Sequence, residues 1–315
     1  MGRYVVQRCL QAIFVLLGVT LVVFFILHLR GDPSVLLLPA NASPEQELIF
    51  RAKWGLDQPF VLRYWNFLKN AVRGDFGMSL YYHAPAIKLV LERMPATIEL
   101  AFISTIFAVI VAVPLGVFAA IRKNTLFDFV ARIIALLGQA IPTFWFGIMM
   151  IILFSLKLHW LPTSGRVSWE NLVMPVIAAG LFAMASITRI ARSSMLEVLN
   201  EDYMRTAKAK GLTPDRIFFI HGLKNAILPV ITMIGMEFGS LLGGAVVIET
   251  IFAWPGVGQL AVNGIYNRDF PIVLAAVTMT AFIFIVVNLV IDIMYCLIDP
   301  RIKVSTLHNT EGSVR

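Results

Sequence analysis

Apolar residues fall along this chain in long uninterrupted blocks separated by shorter charged segments. Cys9–Leu29, Leu100–Ile121, Ile133–Leu156 and Asn171–Thr188 contain no Asp, Glu, Lys or Arg and are 21, 22, 24 and 18 residues long. Asn225–Ile248 adds 24 residues interrupted only by Glu237, and Phe270–Ile291 adds 22. Each is close to the ~20 residues with which a helix crosses the hydrocarbon core. The pattern predicts an all-α, polytopic membrane protein with six transmembrane helices. The first block follows Arg3 and Arg8 as a secretory signal would, but it exceeds the usual core of roughly 7–15 residues. Arg30-Gly31-Asp32-Pro33 also lacks the small residues of a cleavage site, so the block is expected to persist as an anchor.

The segments between blocks carry their own punctuation. In the long loop after the first block, Ser43-Pro44-Glu45-Gln46 has a capping Ser, a Pro at the first helical position and a Gln to close the box. A helix over Pro44–Lys53 is expected, ended by Gly55. Phe60–Val72 places Phe60, Tyr64, Phe67, Leu68 and Ala71 on one helical face, and a third short helix is expected from Pro85. The loop reads as a helical cap, serving either as a lid or as a surface for a delivery protein. Pro114, Gly116, Gly138, Pro142, Gly235, Gly239, Gly243 and Gly244 interrupt the membrane helices where neighbours pack closely. Trp254-Pro255-Gly256-Val257-Gly258 is too apolar for a free loop and too broken for a span, and a re-entrant turn fits it.

Composition agrees: 58% of the 315 residues are hydrophobic and 14% charged, against roughly 25% charged in an average soluble domain. Lys and Arg are retained on the cytoplasmic side of short loops. With the N-terminus inside, the inner segments hold fifteen basic residues, while the two short outer loops hold only Lys157, Arg166 and Arg268. Both termini are therefore expected to be cytoplasmic, and the net charge of +7 reflects inner loops beside anionic lipid rather than nucleic-acid binding. Cys9 and Cys296 fall toward the inner ends of their helices and read as small apolar residues rather than a disulfide.

The charged island Asn200–Pro229 stands out between two apolar blocks. Asn200 suits a helix cap, Glu201 and Asp202 suit its first turn, Lys208 and Lys210 its last, and Gly211 its end. The resulting rod is about 15 Å long, and Thr213-Pro214-Asp215 restarts a helix toward the membrane. Tyr203, Met204 and Ala207 on one side suit insertion into a partner's groove; a solvated loop facing lipid headgroups is the alternative. No Gly is followed by Lys, so the chain has no phosphate-cradling P-loop. H-E-x-x-H and G-x-S-x-G are absent, and the five histidines have no metal-ligand spacing, so the chain is not expected to be an enzyme.

E-D-Y-M-R-T-A-K-A-K-G at 201–211, H-G-L-K-N-A-I-L-P at 221–229, W-G-L-D-Q-P at 54–59, R-G-D-F-G-M-S at 73–79, L-P-T-S-G at 161–165 and E-T-I-F-A-W-P-G-V-G at 249–258 occur in this order. From about Tyr4 to Arg301 the chain resembles the inner-membrane permease subunits of bacterial ABC importers for dipeptides, oligopeptides, glutathione and nickel. The resemblance implies a cytoplasmic coupling helix seated in a groove of an ATP-binding subunit, with Tyr203, Arg205, Thr206, Ala207 and Gly211 as contact residues. Only Ala207 and Gly211 keep the broader importer pattern, which begins Glu-Ala-Ala where this chain has Arg205, Thr206 and Ala207. The implied partners are a second homologous permease, two ATP-binding subunits and an extracytoplasmic substrate-binding protein. ATP and magnesium would be bound in the partners, with no cofactor in this chain. The expected division is residues 1–29, N-terminus and first span; 30–98, extracytoplasmic helical loop; 99–298, permease core with coupling loop 189–225; and 299–315, cytoplasmic tail. Short peptides are the expected cargo, with nickel as the alternative. Glu237, a membrane acid, is a candidate on the translocation path and the one feature that would suit an ion-coupled carrier.

Overall fold

The computed structural model describes residues 2–29, 43–53, 57–214 and 216–298. Arg30–Pro33, the stop at Gly55, Asp215 and the tail 299–315 lie outside the described residues, as do the side chains of Cys9 and Cys296. The described chain is helical, with one isolated antiparallel bridge between Met78 and Pro85. In order, the α-helices are α1 Gly2–Leu29, α2 Pro44–Lys53, α3 Phe60–Val72, α4 Ala86–Ile121, α5 Leu126–Ala140, α6 Thr143–Met150, α7 Glu170–Leu199, α8 Asp202–Ala209, α9 Leu223–Gly244, α10 Val246–Ile251, α11 Val257–Tyr266 and α12 Phe270–Ile298. Two π-helical stretches extend them, Ile151–Lys157 after α6 and Arg216–Gly222 before α9. Among the described residues five helical segments are long and apolar enough to cross a membrane, and a sixth crossing exists if the bent α5–α6 segment counts as one span.

The chain forms two compact units, Met1–Thr97 with Trp254–Ile283, and Ile98–Ala253 with Phe284–Arg315. In the first, the α2 box forms as the sequence predicts: the Ser43 N–H donates to Gln46 Oε1 at 3.0 Å and the Gln46 N–H to Ser43 Oγ at 3.3 Å. Ala86, Val90, Met94, Val257, Leu260, Ile272 and Ala275 build one apolar core. Phe24 of α1 packs against Phe60, Tyr64 and Phe67 of α3. Asp269, fully buried, accepts from Ser79 Oγ at 2.5 Å and from the Tyr81 N–H at 3.1 Å. The Trp254 indole donates to the Ala96 carbonyl at 2.8 Å. The expected third short helix from Pro85 is not separate: it runs on as α4, 36 residues, through Pro95, Pro114 and Gly116, none of which ends it.

In the second unit α7 is the most buried of the spans. Small residues let α4 approach it: a Cβ on Gly116 would stand 2.6 Å from the Thr188 carbonyl oxygen and 2.7 Å from the Ala191 Cβ. Ala108, Ala112, Ala183, Ile187, Ala191 and Val230 close the core between α4, α7 and α9. The third predicted span, Ile133–Leu156, is not one helix. α5 and the α6 segment meet at 101° across Ile141-Pro142, where Pro142 has no N–H to donate and Ile141 is pushed to an extended ψ of 122°. The fifth predicted span also stops earlier, since α9 ends at Gly244 and α10 restarts at Val246.

Candidate functional site: the loop between α7 and α9

α8 is separated from α7 by only Asn200 and Glu201. Asn200 does not cap α8 as expected; its Nδ2 donates back to the Leu196 carbonyl at 3.0 Å and it closes α7 instead. Glu201, extended at φ −67° and ψ 148°, occupies the cap position, and its carbonyl accepts the Met204 N–H at 3.0 Å. The other end follows the sequence. Gly211 stands at φ +74°, its N–H donates to the Lys208 carbonyl at 3.0 Å, and the Leu212 N–H donates to the Ala207 carbonyl at 3.4 Å. This is a Schellman motif, in which a glycine in the left-handed region lets the chain turn back over the last carbonyls.

The rotation of α8 corrects one expectation. Met204 and Ala207 do not face outward for a partner's groove but lie buried against Ile217, Val198, Leu199, Leu212 and Phe218 of the same chain. The apolar stripe of a short amphipathic helix is drawn to the nearest apolar surface, here the end of α7 and the following π-helix. Arg205 and Thr206 remain exposed, Arg205 3.5 Å from Asp202 and Thr206 donating to the Asp202 carbonyl at 3.1 Å. The Tyr203 hydroxyl, at the edge of the helix, accepts from Asn225 Nδ2 at 2.9 Å and so ties α8 to the start of α9. Tyr203, Arg205, Thr206, Ala207 and Gly211 thus share one element, with Ala207 on its underside.

Glu237 lies apart from them on α9, 7% exposed, on the side of α9 near the Ser186 hydroxyl of α7. Ser186 accepts from Gln139 Nε2 at 3.2 Å, and Gln139 Oε1 accepts from Arg189 at 3.0 Å. A polar line therefore crosses α9, α7 and α5, ending at a cleft of about 220 Å³ that Gln139, Arg189 and Arg132 help to line. Beside it Arg192 makes a two-pronged pair with fully buried Asp128, at 2.6 and 3.0 Å. Sequence reasoning missed this pair. Its signal was Asp128 itself, a lone acid close to Arg122, Lys123 and Arg132. Among the described residues no group of three or more His, Cys, Asp or Glu side chains is placed to hold a metal.

These features are those of a multi-pass membrane protein with a short helix set between two long apolar ones. Residues 112–304 match the family described as the binding-protein-dependent transport system inner membrane component, and residues 1–101 match its N-terminal region. The chain is 39% identical to the oligopeptide transport system permease protein AppB of Bacillus subtilis, covering 96% of this chain and 100% of that protein. It is also 39% identical to the glutathione transport system permease protein GsiC of Escherichia coli K12, over 96% of this chain and 99% of GsiC. The inward-facing MetNI methionine ABC transporter shares the fold, with a TM-score of 0.58 at 17% identity over 67% of this chain and 96% of the matched one. The chain belongs to this permease family. It is a multi-pass membrane subunit of an ABC importer, a class in which ATP hydrolysis resides in separate subunits and cargo arrives on a binding protein.

Proposed function

We propose that this permease carries short peptides across a bacterial inner membrane by alternating access, with both termini in the cytoplasm. It pairs with a second homologous permease, two ATP-binding subunits that hold ATP and magnesium, and an extracytoplasmic binding protein; the chain itself is not an enzyme. AppB and GsiC, whose names specify oligopeptide and glutathione, support the cargo class. The observation that carries the coupling role is the pinned orientation of α8. Its apolar side is held by its own chain while Arg205 and Thr206, with Tyr203 at the edge, are offered to solvent. We assign contact with the ATP-binding subunit to these three. Ala207 and Gly211 act by fixing the helix they stand on.

We also place Glu237 on the translocation path, beside the Ser186–Gln139–Arg189 line that ends at the cleft, as a residue lining the path or meeting a peptide amine. Charge reversal at Arg205, in the assembled transporter in proteoliposomes, is expected to weaken retention of the ATP-binding subunits and abolish ATP-driven uptake while the permease stays folded. Normal assembly and uptake in that variant would remove the coupling assignment. Gradient-driven uptake by this chain alone, indifferent to ATP, would overturn the proposal in favour of a carrier.

A further inference from the structure

The loop helix α3 is amphipathic in an unusual way: its apolar arc is wider than the surface its own chain covers. Phe60, Tyr64, Phe67 and Ala71 point to one side, where the three aromatic rings pack on Phe24. Turning about 100° around the helix brings Val61, Trp65 and Val72 into a second stripe, and these are 75%, 55% and 89% exposed. Asn66, Asn70 and Arg63 occupy the opposite arc, and Lys69 lies over the Trp65 ring at 5.4 Å.

The depth of α3 can be read on two independent rulers. On α1 the apolar block ends at Leu29, before Arg30. Phe24 lies five residues inside that end, about 8 Å at 1.5 Å per residue, and Thr20 nine residues inside, about 14 Å. The Tyr64 hydroxyl reaches that far, 3.0 Å from Thr20 Oγ1 and donating to the Leu17 carbonyl at 3.0 Å. On α12 the window begins at Phe270, and Phe67 packs into the cluster of Leu27, Val273 and Leu274. That level is about 5 Å inside, and the two depths fall in the same range. A helix lying in the membrane plane buries its apolar side roughly 5–10 Å into the headgroup and acyl boundary.

We propose that α3 is not part of an aqueous cap but lies in the bilayer interface, with Val61, Trp65 and Val72 against acyl chains. Asn70 and Arg73 face the headgroups and water, and Lys69 extends along the Trp65 ring toward them as amphipathic side chains do. The occupant of the bare stripe is lipid, because both spans to which α3 is bound place it at the depth of their own apolar windows. This inference rests on the membrane spans alone and stands whatever the cargo or the coupling residues prove to be.

Nitroxide labels placed singly at V61C, V72C, N70C and R73C test it. The full transporter, with Cys9 and Cys296 replaced by Ala, is held in lipid nanodiscs without binding protein. At 61 and 72, collisions with oxygen should exceed those with a water-soluble nickel chelate several-fold, with the order reversed at 70 and 73. Nickel collisions at 61 and 72 matching those at 70 would show a water-facing stripe and overturn the proposal. So would nickel access at 61 and 72 that disappears only when binding protein is added, since the stripe would then be a protein-docking face.

Discussion

Replacing Arg192 with Met isolates the contribution of the pair that joins α5 to α7. Asp128 is fully buried, and Arg192 supplies its two-pronged contact at 2.6 and 3.0 Å. What remains is the Asn124 N–H at 3.1 Å and the half-exposed Arg132 at 3.5 Å. Stripping a buried charge of its partner costs about 3–5 kcal/mol; with Arg132 able to swing in, about 2–3 kcal/mol is expected here. Asp128→Asn removes the charge from the buried side, and Arg192, 20% exposed, can turn to water, so about 1–2 kcal/mol is expected. The double variant has no orphaned charge and should be no less stable than Arg192→Met alone, an interaction within the usual 0.5–3 kcal/mol range for contacting residues. Unfolding midpoints of the four proteins in one lipid mixture provide the cycle. A double variant that loses the sum of the two single losses would show that the pair holds nothing together.

Three further outcomes follow from other positions. Gly211→Val meets no atom within 4 Å but forces a β-branched residue to φ +74°, at a cost of about 1–3 kcal/mol; ATP hydrolysis is expected to persist while uptake falls, and unchanged uptake would count against the role of the bend. Gly116→Ala drives a Cβ against the Thr188 carbonyl oxygen at 2.6 Å, and overpacking of this kind costs about 1–3 kcal/mol; a lowered melting midpoint checks it. Glu237→Gln keeps the size and a hydrogen-bonding group but removes the charge from the α9–α7–α5 line, so uptake should drop with assembly intact, and normal uptake would take Glu237 off the path.

Much of this architecture is legible in the apolar blocks, because lipid leaves a helix few other ways to satisfy its backbone. The break at Ile141-Pro142 is not, since Pro within an apolar run is equally compatible with a kinked span, and only the packing of α5 on α7 selects a 101° turn. Gly211 was readable because the left-handed position at the end of a helix has a strong residue preference. The facing of Met204 and Ala207 was not: an apolar stripe has the same spacing whether it meets its own chain or another. Asn200 was misread for a related reason, as the cap of one helix and the close of the preceding one lie a single residue apart. Asp128 and Arg192 are 64 positions apart, and no local pattern pairs them.

α7 passes into α8 through Asn200 and Glu201 alone, and Tyr203 is fastened to Asn225 at the start of α9. A joint with so little slack cannot absorb a push. On the proposed coupling role, a displacement of α8 is expected to reach the most buried helix of its unit and the start of the next crossing together, in step rather than in sequence.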